Sequence, residues 1–306
     1  MKKIHRLFSL AAATVLSAVA IAAFTGCDTN NPEITITYEF NGEEYAVDYI
    51  LTRKGAPQTV RHFLELVDAG YYTDTVIHNC ESNGTFLYGG GYTWNAEEEE
   101  PEKQLVERDY WSWVKNYEAE NNFTFTQSVF ALDKTPLYTV YGEFSNNGCV
   151  DNGKKYSHSY SLYPGALAMY YTEQGTDSTR VSVTRIDDVS NNDGESTQEG
   201  NYYTYNSATA MFYTFTGTGS RTELDKDYCV FGHVIDYAEI QELLDAITEY
   251  ETTVLTGDEE TFTESVTIEN VNQYDLVDEV RNAKIPTTYE VPVEPIYIRS
   301  VKINKY

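Results

Sequence analysis

From Ile34 to Leu51 apolar residues occupy every second position. Ile34, Ile36, Tyr38 and Phe40 alternate with polar neighbours, Asn41-Gly42 interrupts, and Tyr45, Val47, Tyr49 and Leu51 resume the alternation. A period of two places each set on one face of a strand, and an Asn-Gly pair supplies the two positive-φ positions of a type I′ turn. The stretch therefore predicts a β-hairpin with one buried face.

Ala56-Pro57 follows, then Val60, Phe63, Leu64 and Val67 at helical spacing with Gly70 just beyond. Proline at the first helical position and glycine past the last match the asymmetry of helix ends, so the spacing predicts a helix of about three turns. Short β-type stretches come next, among them Tyr138–Tyr141, Gly165–Tyr171, Ala210–Phe215 and Tyr228–Ile235. Ile240, Leu243, Leu244 and Ile247 predict a second helix, and Pro295–Ile303 alternates again. Many short strands with a helix near each end predict a mainly β fold, a closed or nearly closed barrel capped by helices. The acidic run Ala96–Gln104, the Asn/Asp/Ser/Gly-rich Asp187–Gly200 and the acidic, Thr-rich Thr252–Glu269 read as surface insertions.

At the N-terminus Lys2, Lys3 and Arg6 precede an apolar run from Leu7 to Phe24, the pattern of a signal peptide. The run ends Phe24-Thr25-Gly26-Cys27, which resembles a bacterial lipobox. That resemblance implies cleavage after residue 26, a lipid on Cys27 anchoring the chain to the membrane, and a tether over residues 27–33. The folded domain, residues 34–306, would then be extracytoplasmic. The whole chain carries a formal charge of −27, which disfavours nucleic acid as a partner. The remaining cysteines, Cys80, Cys149 and Cys229, show no CxxC spacing and leave any single disulfide pairing open. The five histidines form no HExxH or paired metal spacing, and no cofactor motif occurs, so neither metal nor cofactor is expected. Tyr110, Trp111 and Trp113 read either as an exposed aromatic patch or, preferably, as packing onto the barrel.

Several phrases, in chain order, carry a resemblance. They are APQTVRHFLELVDAGYY (Ala56–Tyr72), TVIHN (Thr75–Asn79), LYGGGY (Leu87–Tyr92), GEFSNNG (Gly142–Gly148), GALAMYY (Gly165–Tyr171), NSATAMFYTF (Asn206–Phe215), LDKDYCVFGHVI (Leu224–Ile235) and PIYIRSVKI (Pro295–Ile303). Together they resemble the cyclophilin-type peptidyl-prolyl cis-trans isomerases, with insertions near residues 94–139, 172–205 and 250–285. The resemblance implies an eight-stranded antiparallel β-barrel capped by two α-helices. It also implies extended, proline-containing polypeptides as partners and isomerisation of the X-Pro bond as the activity.

That reaction breaks no covalent bond. The catalyst needs a pocket for the proline ring, donors for the flanking carbonyls, and a cationic donor aimed at the proline nitrogen once the amide twists. By resemblance the family's arginine falls on Asn79, a shorter and uncharged amide. The groove positions fall on Phe86, Tyr88, Tyr170, Tyr171, Met211, Phe212, Tyr213, Leu224 and Tyr228, most of them altered toward aromatic side chains. The expectation is peptide binding with weak isomerase activity. The alternative is a non-catalytic, chaperone-like holder of proline peptides. Arg180 and Arg185, in the second insertion, are candidates for a substitute cation.

Overall fold

The computed structural model describes residues 31–80, 85–131, 134–143, 150–151, 154–155, 161–170, 180–186, 196–202, 207–208, 210–219, 228–256, 261–272 and 284–306. Cys27 with the segment before it, Cys149, Tyr171 and Leu224 lie outside these residues.

The opening hairpin forms as its alternation dictates. Strands β1 (Glu33–Phe40) and β2 (Glu43–Leu51) pair from Glu33↔Ile50 to Phe40↔Glu43, and the turn residues Asn41 and Gly42 both take positive φ, 49° and 81°. Helix α1 (Pro57–Asp68) starts on the proline and is followed by Gly70 at φ 78°. Further along come β3 (Thr75–Val76), β4 (Asn79–Cys80), β5 (Phe86–Gly89), β6 (Tyr92–Trp94), β7 (Leu105–Glu107) and helix α2 (Tyr110–Asn121). After these come β8 (Ala166–Met169), β9 (Phe212–Phe215), β10 (Cys229–Val234), helix α3 (Tyr237–Thr253) and β11 (Tyr297–Lys305).

The eleven strands form one antiparallel sheet in the order β4-β5-β9-β8-β10-β2-β1-β11-β3-β6-β7. Only Ile77 and His78 separate β3 from β4, and they pair to opposite sides. The Ile77 amide donates to the Ile296 carbonyl at 2.9 Å and the His78 amide to the Tyr88 carbonyl at 2.9 Å. Thr75–Cys80 is thus one continuous segment bonded to β11 on one side and β5 on the other. It joins the two ends of the order into a ring of eight strands, leaving β6 and β7 as an extension beside β3.

The ring encloses an aromatic interior. Phe63 of α1 sets its ring 4.9 Å from Tyr72, 5.0 Å from Phe231 and 5.7 Å from Phe212. The interior tyrosines also need partners for their hydroxyls, because an unpaired buried hydroxyl loses its hydration uncompensated. Tyr38 and Tyr49 hydroxyls lie 3.3 Å apart, and Tyr49 reaches Thr214 Oγ1 at 3.4 Å. Helix α3 buries Ile240, Leu243 and Ile247. Glu239 in its first turn accepts from the Asp48 amide of β2 at 2.7 Å.

The described parts of the insertions form helices, strands and packed contacts. In the first, the Tyr110 hydroxyl donates to the Tyr138 carbonyl at 2.7 Å and lies 3.2 Å from His62 Nε2 on α1. Trp113 packs 5.0 Å from Tyr71 and stacks on Tyr117, so this tryptophan packs against the core. Trp111 meets Tyr138 edge-on, with Lys115 3.6 Å above its ring. In the second, strand Arg180–Ile186 lies between Ser196–Tyr202 and Val129–Ala131 of the first insertion, forming a separate three-stranded sheet. The third contains a hairpin, Thr263–Asn272 paired with Lys284–Pro292, where a loop is expected from composition. Its physical basis is alternation about Val266, which is buried between the exposed Ser265 and Thr267, and β-branched threonines suit a half-buried strand. Among the described residues no helix is long and apolar enough to cross a membrane.

The buried Glu143, in the GEF phrase, caps α1 by accepting from the Thr59 amide at 2.8 Å and the Gln58 amide at 3.2 Å. Those bonds favour the carboxylate, but desolvation outweighs them and pushes its pKa up from 4.5 to about 7. The native state therefore binds this proton more tightly than the unfolded chain does. Its contribution to stability is present below pH 4.5 and is lost as pH rises to about 7. Urea unfolding should show the stability difference between the unmodified chain and Glu143→Gln falling by up to about 3 kcal/mol across that window and staying flat above it. A difference independent of pH would refute the linkage.

Candidate functional site: an aromatic face outside the barrel

Alternation that fills the interior also builds a second apolar surface. Phe86, Leu162, Ala166, Ala168, Tyr213, Phe215 and Val230 form a buried cluster separate from the main core, with Tyr88, Tyr170 and Tyr228 packed against it. The strand register explains the grouping. Asn79↔Tyr88, Tyr88↔Tyr213, Tyr213↔Ala168 and Ala168↔Val230 are successive cross-strand pairs, and directly opposed residues share a face of the sheet. Asn79 therefore begins a transverse row that runs across five strands on the outer face.

The rings along this row touch. Tyr213 lies 5.3 Å from Tyr88, 5.3 Å from Phe86 and 5.4 Å from Tyr228, while Tyr88 lies 6.0 Å from Tyr170. These separations fit offset or edge-to-face contacts. The structure thus brings together Phe86, Tyr88, Tyr170, Tyr213 and Tyr228. Phe212 turns the other way, into the barrel against Phe63 and Tyr72, because it neighbours Tyr213 on a strand. Met211 is buried with the main core, and its carbonyl accepts from the Tyr170 amide at 3.0 Å.

Beyond Tyr88, β5 turns at the glycines. Gly90 sits at φ 87°, and a Cβ there would lie 2.8 Å from the Ala210 carbonyl oxygen. Only glycine meets both conditions, and the turn carries the chain onward to β6.

Asn79 is engaged. Its Oδ1 accepts from the Glu290 backbone amide of the inserted hairpin at 2.8 Å. Beside it, the buried His78 ring lies 4.7 Å from Tyr92 and 5.2 Å from Tyr289, and the two tyrosine hydroxyls are 3.0 Å apart. Desolvation pushes His78 down to about 3, so it sits there neutral. The inserted strand therefore contacts two successive residues of the ring-closing segment, a contact that the spacing of phrases gave no means of finding. The Cys80 and Cys229 side chains are buried, the latter with its Sγ 3.5 Å from Thr59 Oγ1, and burial pushes the Cys80 thiol well up. Among the described residues no group of three or more His, Cys, Asp or Glu side chains is placed to hold a metal.

Comparison with known proteins matches residues 36–273 to the family model described as cyclophilin type peptidyl-prolyl cis-trans isomerase/CLD. Among solved structures, a cyclophilin-type peptidyl-prolyl cis-trans isomerase of Cryptosporidium parvum is similar over 90% of this chain and 99% of that one, at 12% identity and TM-score 0.41. The structure of that protein in the presence of the dipeptide Ala-Pro gives the same figures.

If Asn79 holds the hairpin, Asn79→Ala should accelerate hydrogen exchange at the Glu290 amide by at least about tenfold, while Asn79→Asp, which keeps an acceptor oxygen, should preserve its protection. Equal exchange in all three proteins would show that the bond is dispensable.

Proposed function

Because the chain belongs to the cyclophilin-type peptidyl-prolyl cis-trans isomerase family, we propose that its aromatic outer face holds extended, proline-containing polypeptide and turns over the X-Pro bond slowly. The observation that carries this reading is the state of Asn79. It stands at the position the family resemblance gives to arginine, at the head of the row leading to Tyr88 and Tyr213, with its oxygen already bonded to Glu290.

Twisting the X-Pro amide leaves a lone pair on the proline nitrogen, which a guanidinium would stabilise by a charged hydrogen bond. A carboxamide lacks that charge, and losing such a donor commonly costs a factor of roughly 100 to 1000 in rate. The rest of the site suits binding. Tyrosine rings offer the proline a flat apolar surface. A holder with no turnover is the second reading, favoured by the same bond.

The N-terminal pattern supports an extracytoplasmic site of action, with the domain tethered through a lipid on Cys27 and serving exported proteins. In a bacterial host the full chain should fractionate with membranes, and Cys27→Ala should release it. Retention of the variant in membranes would instead indicate an uncleaved anchor.

Catalysis is tested by NMR exchange of a short Ala-Pro peptide with catalytic amounts of the full chain in detergent. The expected result is binding with exchange about 100-fold or more below that of an arginine-bearing family member, and a gain in Asn79→Arg. Rapid exchange by the unmodified chain would overturn the assignment of weak activity.

A further inference from the structure

Glu290 does more than donate its amide to Asn79. Its carboxylate is held from within the hairpin: Ser265 Oγ donates to Oε1 at 2.5 Å, and Thr263 Oγ1 lies 3.5 Å from Oε2. Neither partner carries charge, and among the described residues no lysine, arginine or histidine pairs with it. A carboxylate has room for further donors beyond these two. It is also half-buried, so a cation reaching it would be screened less than at an open surface.

Placement gives this charge a role. The Glu290 backbone touches the Asn79 side chain, which shares the outer face with Tyr88 and its aromatic neighbours. Glu290 therefore stands at the end of the row where a bound peptide would pass. The net charge of the whole chain, −27, has the same sign.

We propose that Glu290, held in place by Asn79, is a specificity-determining residue that selects proline peptides bearing a cationic side chain beside the proline. Asn79 is then a positioning residue, and the inserted hairpin is part of the peptide site. The inference rests on the aromatic face being the peptide site.

The test uses the full chain in detergent with three peptides, Ala-Lys-Pro-Ala, Ala-Ala-Pro-Ala and Ala-Glu-Pro-Ala, titrated at low and high salt. The lysine peptide should bind about fivefold more tightly than the glutamate peptide at low salt, and the ratio should shrink as salt rises. Glu290→Gln should bring the ratio close to one. Asn79→Ala should lower it as well, because the hairpin loses its tie. Glu264→Gln, which removes an exposed charge from the same hairpin, should leave it unchanged and so separates a local effect from the general field. Binding of all three peptides with a ratio that Glu290→Gln does not alter overturns the proposal while leaving the aromatic face as the peptide site. Absence of binding by any of them overturns both.

Discussion

Six residues, Thr75–Cys80, determine whether the sheet is open or closed. The first half of the segment bonds to β11 and the second to β5, so a single short stretch satisfies the backbone groups of two edges that would otherwise be exposed. The interior exists because of that closure. Phe63 can meet Phe212 and Phe231 only if their strands curve round to one axis, and the Tyr38–Tyr49–Thr214 hydroxyl chain is dry only inside a closed wall.

The same segment sets the outer face. Since neighbouring side chains on a strand point to opposite sides, Cys80, opposite Leu87, joins the buried core while Asn79 heads the outer row. The inserted hairpin meets two successive residues of the segment, with Tyr289 at His78 and Glu290 at Asn79. One helix end shows a comparable economy. Glu143 satisfies two amides of α1 that have no intrahelical acceptor, which gives a physical reason for a glutamate in the GEF phrase.

Much of the barrel was legible in the sequence because its cues are local. Alternation and the Asn-Gly turn marked β1 and β2, and Pro57 with Gly70 bracketed α1, each a property of adjacent residues. Resemblance supplied the order of the later strands and the identity of the outer residues. What remained hidden is non-local. Composition marked Thr252–Glu269 as loop, yet Val266 is buried because Lys284–Pro292 returns beside its strand. Position-by-position matching put Phe212 and Tyr213 in the same groove, whereas the pleat separates them. The engagement of Asn79 with Glu290, 211 residues away in sequence, left no mark that spacing could reveal.

The chain has three tryptophans, Trp94, Trp111 and Trp113, and all of them belong to the first insertion or the strand that leads into it. The outer face carries tyrosine and phenylalanine alone. Intrinsic fluorescence excited in the tryptophan band therefore reports the docking of α2 on α1 and is blind to the peptide face. The face has its own optical handle in the ultraviolet absorbance of tyrosine, so the two regions of the molecule can be followed separately in one unlabelled sample.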